Sequence, residues 1–204
     1  MGILDALKGS GQRSARSIRH NGKRVSEILE RHERFVKGDE TGARADLSGA
    51  DLSHADLQRA NLAYVNLEGA NLEGANLREA KLSSADLHKA QLRKADLRKA
   101  DLTEANLNGA DLTEALIAGT ELFRADLRMA ILRGADLGAA NLRDAQVSGA
   151  DFRGASLKTT ILRETNLDGV DLSGVDLSTT LLPRNYRAAG AAGNTKAETS
   201  KAKV

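Results

Sequence analysis

Ala45-Asp46-Leu47-Ser48-Gly49 and Ala50-Asp51-Leu52-Ser53-His54 open a run of 28 five-residue units that continues to Arg184 without insertion or deletion. The third position is Leu in 25 units and otherwise Ile117, Val147 or Phe152. The first is Ala in 21 units and otherwise Val or Thr, and the second is Asp or Asn in 19. Positions four and five take Ser, Thr, Glu, Lys, Arg, Gly and Gln freely. Two positions of each unit are therefore written for a core. Function has to be written in the other three, or in the flanking segments.

A five-residue step suits neither regular element alone. On a helix each Leu turns by roughly 140° from the last, so no apolar stripe forms. On a strand the first and third positions share a side, but an odd step sends the next pair to the opposite side. The chain must turn a corner in every unit. Ten units carry Gly at the fifth position, from Gly49 to Gly174, where a turn with positive φ is expected. With corners near a right angle, four units close a coil of 20 residues and the 28 units make about seven coils. At the usual strand spacing such a stack is roughly 34 Å long. Four large and four small side chains fill each layer, and backbone groups bond to the coils above and below.

These units and their continuation to Leu182 resemble the pentapeptide-repeat proteins. The resemblance covers about two thirds of the chain. It implies an all-β solenoid, a right-handed quadrilateral β-helix with Leu and Ala inside, and it supplies the handedness. It implies no single activity, because the family is functionally mixed. Some members imitate B-form DNA and bind a type II topoisomerase such as gyrase, which requires a long acidic surface, commonly on a dimer.

The flanks supply the ends of the solenoid. Residues 1–22 read as a flexible basic arm, with Lys8, Arg13, Arg16 and Arg19 amid Ser and Gly. Residues 23–44 read as a short capping helix and connector. Val25, Ile28, Leu29, His32, Phe35 and Val36 share a helix face, and Gly38 supplies the stop. His32 is expected to pack in that cap and not to hold a ligand. Residues 45–184 form the solenoid, and the sole proline, Pro183, removes a backbone donor where the ladder ends. Residues 185–204 lack hydrophobic periodicity and read as a disordered tail.

Composition excludes several classes of chemistry. No Cys is present, so there are no disulfides or thiolate metal sites, in keeping with a reducing, cytoplasmic setting. The net charge of +2 is spread as about +4 before the array, −5 within it and +3 after it, which announces neither a nucleic-acid binder nor an acidic mimic. The first apolar run, Ile3-Leu4, is too short for a signal-peptide core or a membrane span. Ala6 stands where a myristoylation motif wants Ser or Thr. The four histidines are scattered, and no nucleophile elbow, phosphate loop or zinc-protease helix occurs. No catalytic residue, cofactor or metal is expected.

What is left is surface. Columns 20 residues apart place Lys89, Arg93, Lys94, Arg98 and Lys99 in a basic belt across two adjoining faces of the third coil. Leu116, Phe123, Met129 and Ile131 read as an apolar contact cluster. Ile161 and Leu181 stack outside the last two coils and, with Leu182 and Tyr186, form either a C-terminal cap or a homodimer patch. The leading expectation is a non-enzymatic scaffold that docks a protein partner. Gyrase modulation and a membrane tether through Ile3, Leu4, Leu7 and the basic arm are the alternatives. Nucleic acid is not expected as a partner, since stacking aromatics are missing near the belt.

Overall fold

Each unit of the array but the last closes a four-residue turn in which the third-position carbonyl accepts the backbone N–H of the next unit's first residue, as Leu47 does from Ala50 at 3.1 Å. The computed structural model describes residues 12–186. Every fifth-position residue from Gly49 to Gly174 has a positive φ, between 54° at Ser84 and 75° at Gly174, yet only ten of these 26 positions are glycine. The corner is thus demanded by the turn and not by glycine alone. The strain of a left-handed side chain, about 1 kcal/mol each, is offset by the ladder that the corner permits.

That ladder is parallel and has a 20-residue register, with bridges such as Asp46↔Asn66, Asn66↔Asp86 and Asp86↔Asn106. Leu47 donates its N–H to the Asn66 carbonyl at 2.8 Å, and Asn66 donates back to the Ala45 carbonyl at 3.1 Å. A corner every five residues leaves only one paired residue per unit, so the array consists of single bridges and almost no extended strand. Four units per coil therefore set four columns of side chains along the stack.

From Ala45 to Leu162 every first- and third-position side chain is at most 5% exposed. Where Thr replaces Ala, its buried hydroxyl donates to a turn carbonyl of the preceding coil: Thr120 to Leu97 at 2.7 Å, Thr160 to Leu137 at 2.8 Å, Thr165 to Leu142 at 2.6 Å. Past Leu162 the core loosens. Leu167, Val170, Leu172, Val175, Leu177 and Leu182 are only partly buried. Phe152 N–H reaches the Asp171 carbonyl at 3.1 Å and Gly154 N–H reaches Ser173 at 3.4 Å, longer than the 2.7 Å of the Leu87 and Leu107 rungs.

The N-terminal elements differ from a free arm. β1 (Arg13–Ser14) pairs in parallel with β4 (Ala55–Asp56), which carries Ala15 and Ile18 into the core. β2 (Arg19–His20) and β3 (Lys23–Arg24) form a hairpin across Asn21-Gly22, with φ of 47° and 78°. That dipeptide is the favoured two-residue hairpin turn. The expectation of a flexible arm through residue 22 is therefore corrected from Arg13 onward: ladder pairing and two buried apolar side chains hold the segment. Residues 1–11, with Lys8 and the Ile3, Leu4, Leu7 turn, lie outside the described residues, as does the tail from 187.

Helix α1 spans Val25–Val36. Glu27 accepts the Arg24 backbone N–H at its start. At its end Gly38, with φ 77°, donates to the Phe35 carbonyl and Asp39 donates to Arg34, a Schellman closure. Val25 and Leu29 join the array's own core, and His32 is fully buried.

Candidate functional site

The second position belongs to the fold. Asp46, Asp51 and Asp96 each accept the backbone N–H two residues on, and the side-chain amides of Asn66, Asn76 and Asn106 donate to Asp46, Asp56 and Asp86 one coil back at 2.9–3.0 Å. At Asp46 and Asp51 these bonds favour the ionised carboxylate. The Ser53 hydroxyl and the Arg13 guanidinium lower Asp51 to about 2. Arg153, and then Arg133, hold Asp151 well below the usual carboxylate range. Among the described residues no group of His, Asp and Glu is arranged to hold a metal ion, and no helix is long and apolar enough to cross a membrane.

The basic belt is where positions four and five carry cations. Lys89, Lys94 and Lys99 occupy three successive corners with φ of 54°, 56° and 59°, so the belt wraps three columns, one more than the two faces expected. Three of its five members meet acids. Arg98 grips Asp96 with two bonds of 2.8 and 2.6 Å, Arg93 reaches Asp111 at 3.4 Å, and Lys94 reaches Glu114 at 3.7 Å. Lys89 and Lys99 are exposed and form no ion pair among the described residues. Exposed pairs such as Lys94–Glu114 contribute about 1 kcal/mol at most, so the belt can exchange partners.

The apolar cluster does not form. Leu116, Phe123, Met129 and Ile131 fall in four successive units, and each unit occupies its own column, so the four side chains are distributed around the rod. Leu116 stands between Asp96 and Asp136, and Ile131 between Asp111 and Asp151. Phe123 is half-buried beneath Arg124 and Arg143, whose guanidinium carbons lie 4.8 and 5.8 Å from the ring centre. Met129 is 64% exposed by itself.

At the far end Ile161 and Leu181 do stack, as the last bridge of the ladder. Ile161 is half-buried and Leu181 is 43% exposed, while Leu182 packs partly against the core. Tyr186 does not cap them. Its N–H bonds the Pro183 carbonyl at 3.1 Å, and it lines a cleft of about 190 Å3 with Thr165, Asn166, Leu167 and Asp168, one column away.

Eight copies of a sequence model of pentapeptide repeats match the chain between residues 43 and 178. Among solved structures, HetL, a pentapeptide repeat protein involved in heterocyst differentiation regulation from the cyanobacterium Nostoc sp. strain PCC 7120, is 34% identical over 66% of this chain and 73% of its own, with a TM-score of 0.39. A pentapeptide repeat protein of the Arabidopsis thaliana thylakoid lumen is 34% identical over 49% of this chain and 70% of its own, with a TM-score of 0.48. A variant of QnrB1, a plasmid-mediated fluoroquinolone resistance protein, is 26% identical over 70% of this chain and 79% of its own, with a TM-score of 0.39. No curated protein matches the chain.

Proposed function

Because this chain belongs to the pentapeptide-repeat family, whose members of known structure are right-handed quadrilateral β-helices, we propose that it is a non-enzymatic docking module that presents its basic belt to an acidic protein surface. In this reading about seven coils form the rod and α1 closes its N-terminal end. The observation that carries it is the row of Lys89, Lys94 and Lys99, fixed at successive corners by the backbone, with the first and last free of ion pairs among the described residues. Rigid placement lowers the ordering cost of binding, and unpaired charge steers an oppositely charged partner.

The test is a double charge reversal, Lys89→Glu with Lys99→Glu. Glu104 and Glu114 already occupy corners with φ of 58°, so the variant is expected to fold. A partner captured by the intact protein should be lost from the double variant, should weaken as salt rises, and should survive Lys158→Glu on a distant coil. Retention by the double variant would remove the belt from the binding surface.

A second reading, pairing of two copies through the C-terminal coils, rests on the exposure of Leu181 and the loosened core from Leu167 to Leu177. Sedimentation velocity of the intact protein and of Leu181→Lys would separate dimer from monomer. A concentration-independent monomer in both cases would discard it.

A further inference from the structure

The hairpin, α1 and the first coil enclose a cleft of about 450 Å3 that the docking reading does not use. It is lined by His20 and Lys23 from the hairpin, Arg31 from α1 and Arg44 from the connector. Ile28 and Ala43 supply an apolar wall. A volume of this size holds a small organic molecule.

Two carboxylates also line the cleft, and both keep their charge while accepting hydrogen bonds from neutral donors. Glu27 accepts the Arg24 backbone N–H, and Asp46 accepts from Ser48 N–H and from the Asn66 amide. Among the described residues, the ion pairs made by the N-terminal elements are Arg13–Asp51 and Lys37–Glu33, both outside the cleft. Arg44 donates its Nε to the Tyr64 carbonyl, which anchors the guanidinium on the array and leaves its terminal nitrogens without a bond to a described residue. The arrangement therefore holds three permanent cations against two carboxylates around one cavity, a net positive lining in which Asp46 feels the charge of Arg44 without forming an ion pair with it. Two of the three are forked guanidinium groups suited to phosphate or carboxylate oxygens.

We propose that this cleft binds a small organic polyanion, carrying at least two negative charges on a compact body, as phosphate esters and polycarboxylates do. The anionic end lies among Lys23, Arg31 and Arg44, and the body lies on Ile28 and Ala43. Such a ligand touches the hairpin, the helix and the first coil together, so binding ties the N-terminal elements to the rod and raises the thermal stability of the intact protein.

Phenyl phosphate and citrate are the probes, titrated calorimetrically into the full chain, with sodium chloride at matched ionic strength as the control. Saturable binding above that control is expected, and the tighter probe identifies which of the two anion classes the cleft prefers. The double variant Lys23→Gln with Arg31→Gln removes two exposed cations and should weaken binding by at least about tenfold. Amide shift mapping on the wild-type protein supplies a readout independent of any variant: changes should centre on Ile28, Ala43 and Ala45. The proposal is overturned if neither probe saturates, if the folded double variant binds undiminished, or if the shifts gather on Lys89 to Lys99 instead. The last result would move the anion to the belt and leave the docking reading intact.

Discussion

Leu107 and Thr103 are near neighbours in the chain that answer to different surroundings. Leu107 is fully buried in the stack, whereas Thr103 is half-buried at a fourth position. Leu107→Lys should cost on the order of 4 kcal/mol by burying an unpaired charge, while Thr103→Lys should stay within about 0.5 kcal/mol. Chemical denaturation of both variants checks the pair, and equal midpoints would contradict the inward assignment of the third position. His32 makes the corresponding argument in protons. Its Nδ1 accepts the Ala45 backbone N–H at 3.1 Å, its ring stacks on Phe35, and burial lowers its pKa from 6.5, with Arg44 adding to the effect and the Ala63 backbone offsetting part of it. Above 6.5 the ring is neutral in both folded and unfolded chains, and it makes no pH-dependent contribution. Below that value the unfolded chain binds the proton more readily, so stability falls with pH until the lowered folded pKa is reached. Melting curves between pH 7.5 and 5.5 should show this loss, with a slope of at most about 1.4 kcal/mol per pH unit. A His32→Gln variant should show less of it.

At the scale of elements, legibility followed the range of the interactions. The repeated turn was readable because Leu, Ala and Asp recur within five residues of one another, and the apolar spacing from Lys23 to Lys37 encloses α1 at Val25–Val36. β1 was not readable, since Arg13 and Ser14 find their partners at Ala55 and Asp56 and carry no alternation of their own. The hairpin did have a local signal in Asn21-Gly22, but its two-residue strands, Arg19–His20 and Lys23–Arg24, lack the flanking apolar pattern that makes that signal conspicuous. The cations of the belt could be found by counting in twenties. Which of them are neutralised could not, because Arg93–Asp111 and Lys94–Glu114 pair across coils and depend on side-chain reach. The connector after α1 adds a constraint of its own. A Cβ placed on Gly42 would run into the backbone of Phe35 and Arg34. Gly42→Ala should therefore destabilise the seating of α1 by roughly 1–3 kcal/mol. The expected readout is faster amide exchange in the helix with the middle of the array unchanged. Unaltered exchange in α1 would show that the connector can move aside.

For the molecule as a whole, each coil is the template for the next, so stability is a sum of neighbouring interfaces with weak terms at the margins. Amide exchange should be slowest around Leu87 to Leu127 and fastest from Leu167 to Leu177, where core side chains are partly exposed and the rungs lengthen. Uniform protection along the rod would mean that the last coil is held by something beyond the described residues. The 20-residue register has a further consequence, comparable to a reading frame. Excising a single unit such as 105–109 leaves every remaining Leu in phase with the core, so the rod should still fold. All side chains beyond the cut then step sideways by one column, and Arg93 no longer lies beneath Asp111. Excising four units, 105–124, restores the frame and leaves the downstream faces on their original bearings. Length and surface layout are thus inherited separately in this chain: fives preserve the fold, and only twenties preserve the pattern that a partner would meet.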